Sequence, residues 1–372
     1  MMEPIRVLQV LGSLNNGGSQ AMIMNVYRNI NREKVQFDFI IDKPGEVYYK
    51  EEILRLGGRV YELPRYRGKN HFSYVKAWHN FFKEHREYKI IHGHVRSTAT
   101  IYLSIAKKYG LRSIIHSHST SSGVGISSVV KNILQYPLRY TVDNLFTCSE
   151  EAGKWLYGNK VSTKKNYKII KNAIEAEKYI IDPIIRKEKR IELGIDDRLV
   201  IGHIGRFAYP KNHEFLLEVF KSIQEKREDA TLLLVGDGEL KRKIEEDAAL
   251  MGISDKVIFT GARSDIPDLL QVMDIFVFPS HFEGLGIVVV EAQAAGIRCI
   301  VSDAVPQEVF MTDLVEGISL KDGADYWAEK TLENVEGYEK RNTYKEIVAK
   351  GYDISESVSW LEKFYISEVR RC

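Results

Sequence analysis

The sequence predicts an α/β protein made of two doubly wound parallel-sheet domains, and three observations support this. The chain of 372 residues is longer than a single hydrophobic core usually grows. Short β-branched runs alternate with longer helical patterns almost throughout, which is typical of parallel sheets covered on both faces. A charged, proline-containing stretch at 175–197 interrupts the alternation, which then restarts.

Seven short apolar runs predict the strands of the first domain. They lie at 5–11, 35–41, 59–63, 88–92, 112–117, 144–149 and 167–173. Between them, the apolar spacing at 19–30 and 72–85 predicts two of the covering helices.

Five further runs predict the strands of the second domain, at 199–205, 230–236, 256–261, 274–280 and 298–302. The amphipathic segment at 354–371 follows the last helices of this domain, and we expect it to pack back on the first. The predicted domains are therefore residues 1–175, joined by a helix at about 355–372, and residues 176–354.

The composition is that of a globular protein, with 44% hydrophobic and 28% charged residues. No apolar run reaches the roughly 18 residues that a membrane span needs. Cys148, Cys299 and Cys372 are odd in number and widely spaced, which favours reduced thiols over a disulfide framework. We expect a cytoplasmic protein, with peripheral contact to the inner membrane face as an open question.

The two halves of the chain differ in charge. Residues 1–182 carry 28 Lys+Arg against 16 Asp+Glu, and the remainder carries 25 against 35. The basic half is either an ordinary solvated face or the side that meets an anionic partner, such as a membrane surface or a phosphorylated lipid carrier. No nucleic-acid-binding motif is present, so we expect no nucleic-acid partner.

A glycine-containing loop, "GSLNNGGSQ", follows the first predicted strand. Gly17 and Gly18 let backbone amides approach a ligand, and Ser19 can cap the next helix. The loop lacks both the Walker A pattern and G-x-G-x-x-G, which argues against a nucleotide hydrolase and a simple dinucleotide enzyme. A plain tight turn remains the alternative.

Two cations flank the first strand-to-helix loop of the second domain. In "IGHIGRFAYPKNHEF", Arg206 follows the strand and Lys211 precedes the helix, so the loop can bring both to one point. Such a pair suits a departing diphosphate, whose negative charge grows as the bond breaks. Two exposed loop charges are the alternative.

Two glutamates bracket a Gly-Leu-Gly turn in "PSHFEGLGIVVVEAQAAG". The loop carries Glu283, and a helix predicted from about Gly286 to Gly296 carries Glu291 about 8 Å along its axis. The amides of the turn and the helix dipole would face the same anion as the two cations. Apolar neighbours indicate that the helix is buried, where an unpaired glutamate is unfavourable.

These motifs together resemble the retaining glycosyltransferases of family 4. The E-x7-E spacing, "GRFAYPKN", "LLLVGDGELKRKIEE", "NNGGSQ", "HSHS", "TCSEEAGKWL" and "IIKNAIEAEKY" cover nearly the whole chain. The resemblance implies a GT-B architecture, in which two Rossmann-like domains face each other across a cleft. The second domain would mainly hold the nucleotide-sugar donor, and the first would hold the acceptor.

The resemblance also implies roles for individual residues. Arg206 and Lys211 would hold the diphosphate, Glu291 the ribose, and Glu283 the sugar hydroxyls. His118 would contact the sugar near the reaction centre. The implied catalytic residues are His118, Glu283, Arg206 and Lys211, and the implied donor site comprises Gly17, Gly18, Arg206, Lys211, Arg263, Glu283, Gly284, Leu285, Gly286 and Glu291.

The implied reaction moves a hexose or N-acetylhexosamine, from a UDP-sugar in preference to a GDP-sugar, to a hydroxyl of a glycan or lipid-linked saccharide. Its setting would be exopolysaccharide, capsule or lipopolysaccharide synthesis. The chain has no D-x-D pair, so we expect no cofactor and no metal bridging the diphosphate. Three departures from the family pattern leave the sugar open: Asn212, Arg298 and the "VPQE" at 305–308.

Three other functions compete with this interpretation. H-x-H at 92–94 and at 116–118 can place imidazoles together at strand ends, as in a metal-dependent hydrolase. A GT-B-like UDP-N-acetylglucosamine epimerase would share the cleft but need no acceptor. A catalytically idle binding module would have no need for the charged cluster.

Overall fold

The computed structural model describes residues 3–15, 17–42, 48–119 and 125–371. The chain divides into two compact units, Met1–Ala173 with Asp353–Cys372, and Ile174–Tyr352. Both boundaries between the units, after Ala173 and after Tyr352, lie two residues before the predicted ones. Cys148 and Cys299 are buried, and Cys372 lies outside the described residues.

The strands among the described residues form two parallel sheets. The first unit contains β1 (Ile5–Leu11), β2 (Val35–Ile41), β3 (Val60–Glu62), β4 (Ile90–Gly93), β5 (Arg112–Ser117), β6 (Asn144–Thr147) and β7 (Tyr167–Ile169), in the order β3-β2-β1-β4-β5-β6-β7. The second contains β8 (Leu199–Ile204), β9 (Ala230–Val235), β10 (Val257–Gly261), β11 (Ile275–Phe278), β12 (Arg298–Ser302) and β13 (Val315–Ile318), in the order β10-β9-β8-β11-β12-β13.

Helices connect the strands and cover the sheets. They are α1 (Gly18–Asn29), α2 (Lys50–Arg55), α3 (His71–Glu84), α4 (Ala99–Lys108), α5 (Ile126–Gln135), α6 (Leu138–Thr141), α7 (Glu150–Tyr157), α8 (Pro183–Leu193), α9 (His213–Lys226), α10 (Lys241–Leu250), α11 (Ile266–Val272), α12 (Ile287–Ala294), α13 (Gly323–Val335), α14 (Tyr344–Ala349) and α15 (Ile354–Val369). The strand orders and parallel pairings confirm two doubly wound Rossmann-like sheets.

The last helix packs on the first unit, as its amphipathic sequence predicted. Asp353 caps α15 by accepting a hydrogen bond from the Ser355 amide. The buried face of the helix joins the core beside β1 and α1, and Tyr365 is 1% exposed. Near the end of α15, the buried Glu368 accepts a hydrogen bond from Arg112 at 2.9 Å. Because Arg112 is the first residue of β5, this ion pair anchors the helix to the start of that strand.

The stretch at 175–197 is not the simple connector that the sequence predicted. Most of it forms α8, which packs against α11 within the second unit. Asp182 caps this helix, Pro183 occupies its first turn, and Gly194 ends it in the left-handed conformation. These signals were present in the sequence, but the high charge of the stretch obscured them.

None of the described helices combines the length and the apolar composition that crossing a bilayer requires.

Candidate active site

Two loops meet at the carboxyl edge of the second unit's sheet. They follow β8 and β11, which are neighbours in the sheet although β9 and β10 separate them in the chain. The Asn212 side-chain amide donates to the Pro279 carbonyl at 3.1 Å, and the His281 amide donates to the Pro210 carbonyl at 2.8 Å. Ligands of open α/β sheets bind at this edge, so the joined loops form a candidate ligand platform.

A short ion pair lies within this platform. Lys211 Nζ is 2.6 Å from Glu283 Oε1, and the two side chains are only 20% and 10% exposed. The ammonium group also lies 4.6 Å from the centre of the Phe278 ring. The structure therefore brings the predicted lysine and the predicted loop glutamate together, and it pairs them with each other.

The residue after the lysine has an unusual backbone conformation. Asn212 has φ 54 and ψ 47, in the left-handed region, and no other described residue besides glycine has a positive φ. Asparagine adopts this conformation more readily than most residues. Glycine adopts this conformation most readily, so Asn212 is compatible with a position where the family pattern has glycine.

Arg206, the second predicted cation, is paired with a different carboxylate. Arg206 is 70% exposed, and its guanidinium lies 3.0 Å from Glu239 in the loop after β9. The sequence placed Arg206 and Lys211 at one point, but in the structure each is paired with a different carboxylate. Glu239 was not among the predicted site residues, although "VGDGE" lies at the carboxyl end of a strand.

Glu291 lies on α12, which begins one residue after the left-handed Gly286 and has no side-chain cap. Its carboxyl group accepts a hydrogen bond from the Tyr179 hydroxyl at 2.9 Å. Part of Glu291 is exposed, but protein atoms surround its carboxyl group. This burial raises the pKa of Glu291 to about 7, and the Tyr179 hydrogen bond opposes the shift. Tyr179 was not among the predicted site residues, and no local signal in the sequence links it to Glu291.

Arg263 already has partners within the second unit. Its guanidinium makes two hydrogen bonds to Asp265, at 2.8 and 2.6 Å, and lies 3.6 Å from Glu192. The fork-to-carboxylate arrangement raises the pKa of Arg263 and lowers that of Asp265. Its predicted role in donor binding stays a prediction.

The glycine loop of the first unit leads into α1. Gly17 is the residue before the helix, with extended backbone, and Gly18 is the first helical residue. The prediction that Ser19 caps this helix is wrong. Ser19 lies inside the first turn, and its hydroxyl donates to the Gln20 side chain at 2.9 Å.

His118 lies in a group of four imidazoles in the first unit. Its Nε2 is 2.8 Å from His94 Nδ1, and its ring stacks on His116 at 4.1 Å between centroids. Burial and the nearby Arg96 lower the pKa of His118 to about 3, so the ring is neutral at physiological pH. Burial also holds the pKa values of His92, His94 and His116 well below the ordinary range.

A separate cavity of about 650 Å³ lies in the second unit. Its lining includes Arg198, Asp229 and Asp274, which immediately precede β8, β9 and β11. The cavity is therefore at the amino edge of the sheet, opposite the loops that carry Lys211 and Glu283, and we assign it no part in the candidate site.

Two known families match the chain, one for each unit. The family described as "Glycosyltransferase Family 4" matches residues 16–178. The family described as "Glycosyl transferases group 1" matches residues 185–351.

Curated relatives match over most of their length. EpsF of Bacillus subtilis (strain 168), named as a glycosyltransferase, is 35% identical over 97% of this chain and 96% of that protein. The UDP-Gal:alpha-D-GlcNAc-diphosphoundecaprenol alpha-1,3-galactosyltransferase of Escherichia coli is 26% identical over 76% of each chain.

Solved glycosyltransferase structures share the fold. The glycosyltransferase from Rickettsia africae ESF-5 has a TM-score of 0.79 at 16% identity and covers 100% of both chains. Anabaena Alr3699/HepE in complex with UDP and glucose has a TM-score of 0.76 at 17% identity, covering 98% of this chain and 100% of that one. This likeness confirms the predicted GT-B fold class.

Proposed function

The chain belongs to glycosyltransferase family 4 and is a hexosyltransferase, and we propose that it transfers a hexose or N-acetylhexosamine from a UDP-sugar with retention of anomeric configuration. The acceptor we propose is a hydroxyl of a glycan or lipid-linked saccharide, in the synthesis of an exopolysaccharide, capsule or lipopolysaccharide. The observation that carries the proposal is the Lys211–Glu283 pair, 2.6 Å apart beside the start of α12. The metal-hydrolase and epimerase alternatives are set aside by the family assignment.

One curated relative supports UDP as the nucleotide. The Escherichia coli relative is named for transfer from UDP-Gal to a GlcNAc-diphosphoundecaprenol. The Anabaena structure holds UDP and glucose, although its 17% identity carries the fold alone. Glu291 suits a ribose, because an enclosed carboxyl group can accept hydrogen bonds from two adjacent hydroxyls.

The proposed chemistry is a substitution on one face of the sugar. The bond from the anomeric carbon to the diphosphate oxygen breaks, and its electron pair leaves with the diphosphate. The acceptor oxygen bonds to the same face, and its proton passes to the departing diphosphate. Lys211, Arg206 and the amides at the start of α12 would stabilise the charge that develops on the leaving group.

This arrangement requires Lys211 to exchange partners. In the structure its charge is balanced by Glu283, and a diphosphate at the start of α12 would compete for the same ammonium group. Glu283 would then be free to accept hydrogen bonds from the donor sugar. We propose that cationic side chains and helix amides take the place of a bridging metal at the diphosphate.

The proposed contact with an anionic membrane has a surface that suits it. Around α5, a group of apolar and aromatic side chains is at least half exposed: Val129, Val130, Ile133, Tyr136 and Tyr140. Lys131 is exposed within the same helix, and Lys164 lies 5.4 Å from the Tyr140 ring. Apolar side chains bordered by lysines are typical of segments that rest on anionic bilayers.

Two experiments test these proposals. Purified enzyme is incubated with UDP-hexoses and lipid-linked saccharide acceptors, and NMR of the product reports the anomeric configuration. A retained configuration, with a rate unchanged by added Mg²⁺ or Mn²⁺, is expected, whereas inversion would refute the mechanism. For the membrane, Ile133→Asp should reduce sedimentation with anionic vesicles, and the equally exposed Ile184→Asp should not. Equal binding by both variants would remove α5 from the contact.

A further inference from the structure

Four histidines project from two neighbouring strands onto one face of the first unit's sheet. His92 lies in β4 and His94 directly follows that strand, whereas His116 lies in β5 and His118 directly follows it. Gly93 pairs with Ile115 in this ladder, so the two H-x-H segments run side by side. Side chains two positions apart share a face. The rings of His92 and His116 are accordingly parallel, with centroids 5.5 Å apart.

Several nitrogens of this group have no hydrogen-bond partner. His92 Nε2 and both ring nitrogens of His116 are fully buried and unpaired among the described residues. An unsatisfied buried polar atom destabilises a protein by about 1–3 kcal/mol. Three such atoms within one buried group of imidazoles indicate that something binds there.

The outer nitrogens of two of these rings are held by hydrogen bonds. His94 Nε2 lies 2.9 Å from Gln9 Oε1, and His92 Nδ1 lies 2.8 Å from the Tyr365 hydroxyl. A bond donated to the Gln9 carbonyl oxygen leaves the lone pair of His94 on Nδ1. Likewise, a bond donated to Tyr365 leaves the lone pair of His92 on Nε2. Metal-binding histidines are oriented in this way, with the second N–H donated to a neighbouring acceptor.

We propose that His92, His94 and His116 form a binding site for one divalent transition-metal ion, with Zn²⁺ as the first candidate. One ligand nitrogen from each ring lies within 4.8 Å of the others. A cavity of about 10 Å³ borders these three residues, which is room for about one water-sized sphere. A modest inward movement of the rings would reach zinc–nitrogen distances of about 2.0–2.1 Å.

The ligand set determines which ions fit. Neutral imidazoles suit zinc, nickel, copper and iron, whereas calcium and magnesium prefer oxygen ligands. The cavity lining contains no carboxylate or thiolate. Binding at His94 Nδ1 would displace the hydrogen bond to His118 Nε2, which is 2.8 Å away.

The ion would stabilise the fold of the first unit and would not contact the donor diphosphate. It would join β4 to β5 and, through the Tyr365 hydroxyl, connect both strands to α15. The proposal is therefore independent of the identity of the donor and acceptor. Its expected signature is a gain in stability, because an ion that binds only the folded state raises the melting temperature.

The test uses the full chain with any purification tag removed. Elemental analysis is expected to give about one transition-metal ion per chain after expression with zinc, and a strong chelator should lower the melting temperature. Added Zn²⁺ should restore it, and Mg²⁺ should not. His116→Asn should reduce bound metal at least about tenfold, whereas His71→Asn, an exposed histidine on α3, should retain it.

Three results would overturn the proposal. The first is wild-type protein that holds less than about a tenth of an ion per chain and shows no Zn²⁺-dependent change in melting temperature. The second is full metal content in His116→Asn, because the ion would then bind elsewhere. The third result applies if His116→Asn does not fold. Co²⁺ is then added to chelator-treated wild-type protein, and absence of the absorption bands of nitrogen-bound cobalt would overturn the proposal.

Discussion

Lys211 and Glu283 form a 2.6 Å ion pair between the loops that follow β8 and β11, and both side chains are mostly shielded from water. The contact holds an ammonium group at the edge of the sheet where a diphosphate would bind. It also keeps the Glu283 carboxylate paired until a competing anion binds to Lys211. The charges of these two residues must therefore be considered together.

The first prediction concerns the glutamate of this pair. Glu283→Gln should lower kcat by about tenfold or more, because the donor sugar loses a charged hydrogen-bond acceptor in the transition state. The donor KM should stay equal or fall, since Lys211 no longer has a competing carboxylate. Steady-state kinetics with varied UDP-sugar measures both, and Glu225→Gln, at an exposed glutamate on α9, is the control. A raised KM with unchanged kcat would assign Glu283 to ground-state binding.

The second prediction separates the helix glutamate from the loop glutamate. Glu291→Ala should raise the donor KM about tenfold or more and change kcat less, because ribose contacts are formed before and during the reaction alike. Tyr179→Phe removes the hydroxyl that orients the carboxyl group and should give a smaller change in the same direction. Indistinguishable kinetics for the Glu283 and Glu291 variants would contradict this division of roles.

The third prediction follows from the enclosed carboxyl group of Glu291. Its pKa is about 7 in the folded protein, against an ordinary value of 4.5. Below pH 4.5 both states are protonated. Between pH 4.5 and 7 the folded state retains a proton that the unfolded state has lost, so this group lowers stability as pH rises. The loss is complete above pH 7 and amounts to at most about 3 kcal/mol.

Urea unfolding at several pH values measures this effect. Glu291→Gln should be no more stable than the wild type near pH 4.5 and progressively more stable towards pH 7. The exposed Glu225→Gln should show no such trend. If the difference in unfolding free energy between Glu291→Gln and the wild type were independent of pH, the carboxyl group would not be enclosed as described.

The sequence predicted the strands well where they are apolar and buried. β1, β2, β5 and β12 match the predicted runs residue for residue. β13 was missed, because only Ile318 of its four residues is buried and the strand lies at the sheet edge. An edge strand with little buried surface leaves a weak hydrophobic pattern.

The sequence indicated the residues proposed for the candidate site, but it did not predict how they pair. Parallel strands implied that Lys211 and Glu283 lie at one edge, yet their direct contact depends on β8 lying next to β11, which the local sequence does not encode. The hydrogen bond from Tyr179 to Glu291 joins residues 112 positions apart, and the local sequence does not encode this contact either. Long-range pairings depend on sheet order, and sequence periodicity reports only which face of an element is buried.

The fourth prediction concerns His118. His118→Ala should lower kcat about a hundredfold or more if the imidazole contacts the sugar at the reaction centre. UDP affinity should stay within about twofold, because most of the proposed donor contacts lie in the second unit. Calorimetric titration with UDP and turnover assays together test this, with His71→Ala as the exposed control. Normal turnover would remove His118 from the site.

The fifth prediction concerns the glycine that follows β9. Gly236 has φ +144, and a Cβ atom there would lie 2.0 Å from the Gly205 carbonyl oxygen, immediately before Arg206. Gly236→Ala should therefore cost about 3 kcal/mol of stability and displace the loop that bears Arg206. Gly252 is the matched control, because it also has a positive φ, +73, but has no atom within 4 Å of an added Cβ.

Gly252→Ala should cost only about 1 kcal/mol, from backbone strain alone. Thermal unfolding with and without UDP separates the two effects. Gly236→Ala should melt at a lower temperature and gain less from UDP than the wild type, whereas Gly252→Ala should keep the full UDP-dependent increase. Equal losses of stability in both variants would mean that the backbone conformation, and not the contact with Gly205, requires glycine at position 236.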